Sequence, residues 1–200
     1  MGTSLSTKSI EKLTPAHCLD GFDCGVPDLN RYLIQYAYQN QAANSANTYV
    51  ACASQTVFGY YTLTVGSVIH KSAPKRVIQG LAKYPVPVMI LARLAVDQSQ
   101  QKQGVGKGLL KDALLRTANA ADIAGIRALL VHAKEDKAKN WYQQYGFEPS
   151  PTDPLHLFLL MKDIRKSLSS MVRTVLHSNS SVITHLHEIG SGFYGSEVET

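Results

Sequence analysis

The stretch Gln101-Lys102-Gln103-Gly104-Val105-Gly106-Lys107 constrains this chain more than any other, because of what flanks it. Before it, Val88 to Val96 is an apolar, β-branched run that ends at Asp97 and predicts a buried strand. After it, Leu110, Ala113, Leu114, Thr117, Ala118 and Ala121 recur at helical spacing in an Ala-rich segment that Gly125 closes. A glycine loop between a strand and a helix forces the helix back over the sheet. It also leaves the first N–H groups of the helix without partners, which makes an anion site. Glycine belongs there because a side chain would hold a phosphate away from the backbone.

The rest of the chain is patterned to match. Pro27 and Asp28 open a helix whose apolar positions Leu29, Leu33, Tyr36 and Ala37 carry it to about Asn40. Thr48 to Ala53 and Val57 to Val65 read as a hairpin broken at Ser54-Gln55-Thr56. Lys71 to Pro87 is a basic, proline-marked connector. Arg127 to Ala133 is a strand, Glu135 to Tyr145 a helix capped by Gly146, and Leu155 to Met161 a further strand. The order helix, hairpin, strand, helix, strand, helix, strand predicts an α/β (α+β) domain over residues 1–166, with a mixed twisted sheet and helices on both faces. Residues 167–200 are Ser-rich and end in a Gly-Ser-Gly segment; they read as an appendage, disordered or a cloning extension.

Composition excludes several classes. Two hundred residues at 44% hydrophobic and 18% charged can bury a core, which rules out a disordered or collagen-like chain. The longest apolar run falls far short of the ~20 residues of a membrane span, and the first residues lack a charged-then-apolar leader, so the expected location is the cytoplasm and no membrane partner is expected. Cys18, Cys24 and Cys52 are too few for a disulfide framework. His17 and Cys18 beside Cys24 form at most half a metal site, and His177, His185 and His187 lack Cys or carboxylate companions, so no metal is expected. Charge is concentrated: Lys71 to Lys107 holds seven basic residues and one acid, Asp97, so this segment's +6 exceeds the whole chain's +5. A polyanion is the expected partner, a solvated basic face the alternative.

Three phosphate-loop patterns compete for residues 101–108. A P-loop requires Gly at position 101 and Ser or Thr after the lysine, where Gln101 and Gly108 stand. A dinucleotide fingerprint requires its third glycine one place later than Gly108 and a βαβ unit that opens the domain. The third pattern fits. Gln-x-x-Gly-x-Gly between strand and helix, followed about forty residues on by Ala138-x-x-x-Tyr142-x-x-x-Gly146-Phe147, resembles the GNAT acetyltransferase superfamily. Phe22-Asp23-Cys24-Gly25, Gly59-Tyr60-Tyr61-Thr62-Leu63, Tyr84-Pro85-Val86-Pro87, Leu91 to Asp97 and Gly146 to Pro151 are similar to the GNAT-type toxins of bacterial toxin–antitoxin pairs, over about residues 10 to 165.

That resemblance implies a GNAT fold, acetyl-coenzyme A as cofactor, and N-acetylation of the α-amine of the amino acid on charged tRNA, which blocks translation. It implies a ribbon-helix-helix antitoxin as partner, contact with DNA only through that antitoxin, and a homodimer. It places the general acid at Tyr142, and the cofactor against Leu94, Ala95, Val96, Gln101, Lys102, Gln103, Gly104, Val105, Gly106 and Lys107; Asn140 is a further expected cofactor contact that the resemblance does not supply. A phenol of pKa about 10 is a competent proton donor to a thiolate of pKa about 8.5. Asn140 departs from the small residues of similar toxins, and Glu135 stands where many GNAT enzymes carry Asn, so it is read as a first-turn acid. No carboxylate occupies an obvious general-base position, which suits an α-amine of pKa about 7.7 to 8.0 better than a lysine at about 10.4. Arg76, Arg93, Lys71, Lys75 and Lys83 are the expected contacts to tRNA phosphates. Two alternatives stand beside this reading: a GNAT enzyme acting on a protein lysine, N-terminus or small amine, and a non-catalytic acyl-coenzyme A sensor.

Overall fold

A computed structural model describes residues 8–170, in two compact units divided between Met161 and Lys162. The first unit is a seven-stranded sheet. Its strands are β1 (Lys8–Lys12), β2 (Asn47–Ala53), β3 (Thr56–Val68), β4 (Val86–Val96), β5 (Ala128–His132), β6 (Glu148–Pro149) and β7 (His156–Leu160), in spatial order β1-β2-β3-β4-β5-β7-β6. Every neighbouring pair is antiparallel except β4 and β5. The parallel pair is joined by the long helix that the glycine loop launches, α4 (Val105–Ala121). The remaining helices are α1 (Pro27–Arg31) and α2 (Ala37–Ala42), which a π-turn at Tyr32–Tyr36 joins, α3 (Lys75–Ile78) and α5 (Asp136–Gln143).

The mixed sheet, the hairpin and the strand–helix alternation agree with the sequence reading. Ser54 and Gln55 both take positive φ, 47° and 69°, the double left-handed turn whose twist suits a two-residue hairpin. Among the described residues, β1, β6, the short α3 in the connector and the helical residues 162–170 lie outside that reading. Residues 162–170 of the second unit are helical. His177, His185, His187 and the rest of the expected appendage beyond residue 170 lie outside the described residues.

Strand alternation distributes the helices over both faces. On β3, Tyr60 turns toward α1, packs edge-on against Phe22 and donates its hydroxyl to Leu29 O at 2.8 Å. Tyr61, one residue on, turns the other way and donates to Asp112 of α4 at 2.5 Å. Both rings are fully buried. Gly59 lies under α4, where an added Cβ would sit 3.1 Å from Leu109 Cδ1 and 3.3 Å from Val105 Cγ1. A glycine is therefore what lets the helix approach β3 closely. α3 seals the far end of the α1 face, with Val77 packed in a cluster with Val86, Val88, Leu130 and Phe158.

Two irregularities of β4 shape the centre of the molecule. Its register with β3 steps from Leu91↔Leu63 to Arg93↔Thr62, so Ala92 is an extra, bulged residue. Val88 and Ile90 before the bulge thereby share a face with Arg93 and Ala95 after it. The pairing of β4 with β5 runs only from Val88↔Ala128 to Leu91↔Val131, while β4 continues to Val96 beside β3 alone. Beyond Leu91 the two parallel strands part, and β4 offers an open edge.

Candidate active site

A cleft of about 1010 Å³ occupies that parting. Its walls are the segment holding Cys24, Val26 and Leu29, the β4 edge at Leu94 to Val96, the loop at Gln101, Lys102 and Gly104, the start of α4 at Gly106 and Lys107, and one side of α5.

The loop makes the anion end. Lys102 at φ 60° and Gly104 at φ 83° are both left-handed, and Gly104 is the residue that caps α4. A Cβ on Gly104 would meet nothing within 4 Å, so backbone conformation rather than space demands glycine there. The first intrahelical bond is Gly108 N–H to Gly104 O at 3.0 Å. The N–H groups of Val105, Gly106 and Lys107 therefore lie ahead of the ladder, at the positive end of the helix dipole. Lys102 and Lys107 line the same end.

The loop is tied down by side chains. The Gln101 amide donates to Cys24 O at 3.2 Å and to Val96 O at 3.0 Å, which joins the N-terminal segment to the strand edge. Asp97 accepts from Asp23 N–H and from Ser99 N–H and Oγ. Asp23 accepts from Gly25 N–H and from the amides of Asn30 and Gln98. Its carboxyl is held below the usual range, foremost by the Gly25 N–H and then by Asn30, so the latch is ionised at neutral pH.

The strand edge supplies polar backbone at the middle of the cleft. Asp97 N–H bonds to Phe58 O at 2.9 Å, and alternation along an antiparallel ladder then gives the N–H and C=O of Ala95 to β3. Those of Leu94 and Val96 point to the open side. Val96 O is taken by Gln101, which leaves both Leu94 groups and the Val96 N–H toward the cleft.

Tyr142 enters from α5. Its ring is 7% exposed, packed 4.9 Å from Trp141 and 5.3 Å from Phe147. Its hydroxyl reaches the cleft and has no hydrogen-bond partner among the described residues. Burial pushes its pKa well above that of a free phenol, so it is a proton carrier across the physiological range. Ala138, Trp141, Tyr142 and Tyr145 all line the cleft, a helical stripe at i, i+3, i+4 and i+7. Only Tyr142 and neighbouring Asn140 were expected of it, although the spacing is visible in the sequence. Lys137 and Gln144 also line this wall, and Glu135, expected only as a first-turn acid, precedes α5, makes no capping bond and lines the cleft as well.

Of the expected cofactor positions, Leu94, Ala95, Val96, Gln101, Lys102, Gly104, Gly106, Lys107 and Asn140 meet at the cleft. The side chains of the other two turn away: Val105 points at Gly59, and the Gln103 amide donates to Ser99 O at 2.8 Å. The five expected phosphate-binding cations do not form one patch. Arg93 lies on the α1 face beside Ala95, its guanidinium 3.6 Å over the Tyr32 ring. Lys71, Lys75, Arg76 and Lys83 belong to the connector at the start of β4, ten residues of strand and roughly 33 Å from its cleft end. Arg76 is ion-paired with Glu148.

Cys24, Val26 and Leu29 were absent from the expected site, because nothing local says that an N-terminal helix will stand against the end of β4. Burial raises the Cys24 thiol pKa, so this wall is neutral. Elsewhere, Glu11, His17 and Cys52 place ligand-type atoms within 4.8 Å of one another. Thr14 N–H donates to His17 Nδ1 at 3.0 Å, so Nε2 carries the proton and donates it to Glu11 at 2.9 Å. The cluster thus ties β1 to the following turn. No helix among the described residues is long and apolar enough to cross a membrane.

Comparison with known proteins extends this geometry. Residues 43–149 match the family model described as an acetyltransferase (GNAT) domain. A tRNA-acetylating toxin of Mycobacterium tuberculosis is 46% identical over 154 residues, 77% of this chain and 92% of the relative. Among solved structures, AtaT complexed with acetyl-methionyl-tRNAfMet aligns with a TM-score of 0.76 at 30% identity, over 81% of this chain and 99% of that one. A tyrosine-to-phenylalanine mutant of AtaT, bound to the C-terminus of the antitoxin AtaR and acetyl-CoA, aligns with a TM-score of 0.70 at 30% identity, over 82% and 99%.

Proposed function

This chain belongs to the GNAT acetyltransferase family, and from that premise we propose that it is an acetyl-CoA-dependent N-acetyltransferase toxin that acetylates the α-amine of the amino acid on charged tRNA. The observation that carries the reading is one cleft holding three things in sequence: unpaired helix amides, an open strand edge and a buried, partnerless phenol.

The residues fit acetyl-CoA. The N–H groups of Val105, Gly106 and Lys107, with Lys102 and Lys107 Nζ, match a pyrophosphate, and the absence of side chains at Gly104 and Gly106 leaves the approach clear. The Leu94 and Val96 backbone offers strand-like hydrogen bonds to an amide-bearing arm. When bound, the cofactor supplies an acetyl thioester. The Leu94 N–H faces the cleft and is the donor that stabilises charge developing on the acyl oxygen. Tyr142 Oη holds the proton that the departing thiolate takes. The attacking α-amine is partly neutral at cytoplasmic pH, so a strong base is dispensable.

Acting in the cytoplasm, the protein meets tRNA through Arg93 beside the cleft and through Lys71, Lys75, Arg76 and Lys83 along the connector. It works as a homodimer, and a ribbon-helix-helix antitoxin restrains it and provides its only contact with DNA.

The test is the mass shift of a pool of charged tRNAs incubated with the protein and labelled acetyl-CoA, with Tyr142→Phe in parallel. Acetyl groups on the aminoacyl ester, lost in the variant while acetyl-CoA still binds, are expected. Label confined to lysine-bearing proteins or small amines would overturn the substrate, and wild-type rates in Tyr142→Phe would overturn the role of the phenol.

A further inference from the structure

We infer that the cleft's opening on the α1 face is a specificity pocket for charged tRNAs whose amino acid has an apolar side chain, with Val26 and Leu29 as its selecting surface; the inference rests on the aminoacyl-tRNA reading above.

The cleft passes through the sheet. Its anion end lies at the α4 N-terminus, on the face to which Tyr61 turns. Ala95, which shares a face with Tyr60 and α1, lines the other side together with Cys24, Val26 and Leu29. A donor held from the α4 side leaves only the α1 side for the incoming amine, so the substituent beside that amine meets these residues.

This wall is apolar and held in place. Tyr60 Oη bonds to Leu29 O at 2.8 Å, and Cys24 N–H bonds to Asn30 Oδ1 at 3.0 Å. Charges close to it are already committed. Asp23 and Asp97 accept the latch contacts, Asp28 is ion-paired with Arg31 and Lys134, and Arg93 stacks on the Tyr32 ring, where the reading above gives it to the tRNA backbone. The acidic group among the cleft-lining residues is Glu135, which belongs to the opposite, α5 wall. A cationic or anionic amino acid side chain placed against Val26 and Leu29 would lose its water without gaining a partner there. An aliphatic one would gain contact, and each methylene that fits or fails to fit such a pocket changes selectivity by about tenfold or more.

The experiment measures initial acetylation rates for individually charged tRNAs under wild type, Leu29→Ala and Val26→Ala. Wild type is expected to favour alanyl, valyl, leucyl, isoleucyl or methionyl esters about tenfold or more over aspartyl, glutamyl, lysyl and arginyl esters. Each variant is expected to shift the ratio between larger and smaller apolar esters toward the larger by about tenfold. That ratio is read within one preparation, so partial loss of folded enzyme does not alter it. Preference for lysyl or arginyl esters would assign selection to Glu135 and overturn the proposal. Transfer to glycyl-tRNA alone, or an unchanged ratio in both variants, would overturn it as well. Failure to acetylate any charged tRNA, with acetyl-CoA still bound, would overturn the aminoacyl-tRNA reading itself and this inference with it.

Discussion

The environment of the Tyr142 hydroxyl determines when it can give up its proton. Packed against Trp141 and Phe147 and raised by burial, it keeps that proton well beyond the ordinary phenol value of about 10. The alkaline limb of the pH–rate profile is therefore expected above pH 10, and a limb near pH 8 to 9 assigned to Tyr142 would contradict the burial. Tyr142→Phe keeps the ring packing and should lower kcat by about 10²- to 10⁴-fold, as measured by steady-state transfer. Gly104 and Gly108 make a contrasting pair. Gly104 is left-handed at φ 83°, so Gly104→Ala should cost about 1–2 kcal/mol and weaken acetyl-CoA binding. Gly108 lies inside α4 with open space at its Cβ, so Gly108→Ala should stabilise by up to about 1 kcal/mol. Thermal melts with and without acetyl-CoA separate the two.

At the scale of elements, the seating of α4 on β3 determines where the anion-binding amides stand. Gly59 is the contact point, with Leu109 and Val105 already near the limit of approach for an added methyl. Gly59→Val should destabilise by about 1–3 kcal/mol in urea titration and, by lifting the first turn of α4, weaken acetyl-CoA binding along with stability. A variant that loses stability but binds acetyl-CoA as before would show that the loop is positioned by the Gln101 and Asp97 ties alone. The parting of β4 from β5 has a comparable local cause: the bulge at Ala92 falls one residue past the last paired position, Leu91↔Val131.

Across the whole molecule, the five cations expected to meet tRNA are divided between the connector that precedes β4 and Arg93 near its cleft end, a distribution suited to a long polyanion. Salt-dependent tRNA binding is the measurement that resolves their roles. Replacing Lys71, Lys75 or Lys83 by Glu should reduce the slope of log K against log salt by about 0.7 to 0.9 for each phosphate that is no longer neutralised, with little change in turnover at saturating tRNA. Arg93→Glu, next to Ala95 at the cleft, should lower turnover as well as affinity. Arg76 is already paired with Glu148, so its reversal should change the slope least, and a slope unchanged in all five variants would remove this surface from tRNA binding.

Local pattern alone determined the hairpin, the strand–glycine loop–helix unit, the α5 helix with its glycine cap and the mixed α/β architecture. Side-chain periodicity and left-handed glycines act over a few residues and are visible in one dimension. β1 was not visible, because Lys8–Lys12 is almost wholly exposed and becomes a strand only by pairing with β2. β6 is two residues long and exists through β7. Val26 and Leu29 looked like ordinary helix-start residues until the fold stood them against Ala95, some seventy positions away. Arg93 and the connector lysines share a charge run in the sequence, yet about seven residues of extended strand, from Val86 to Arg93, separate them in space. The open edge of β4, on which the cleft depends, is the point where two strands stop pairing, and hydrogen bonding between distant segments is a property of tertiary structure that a linear pattern does not encode.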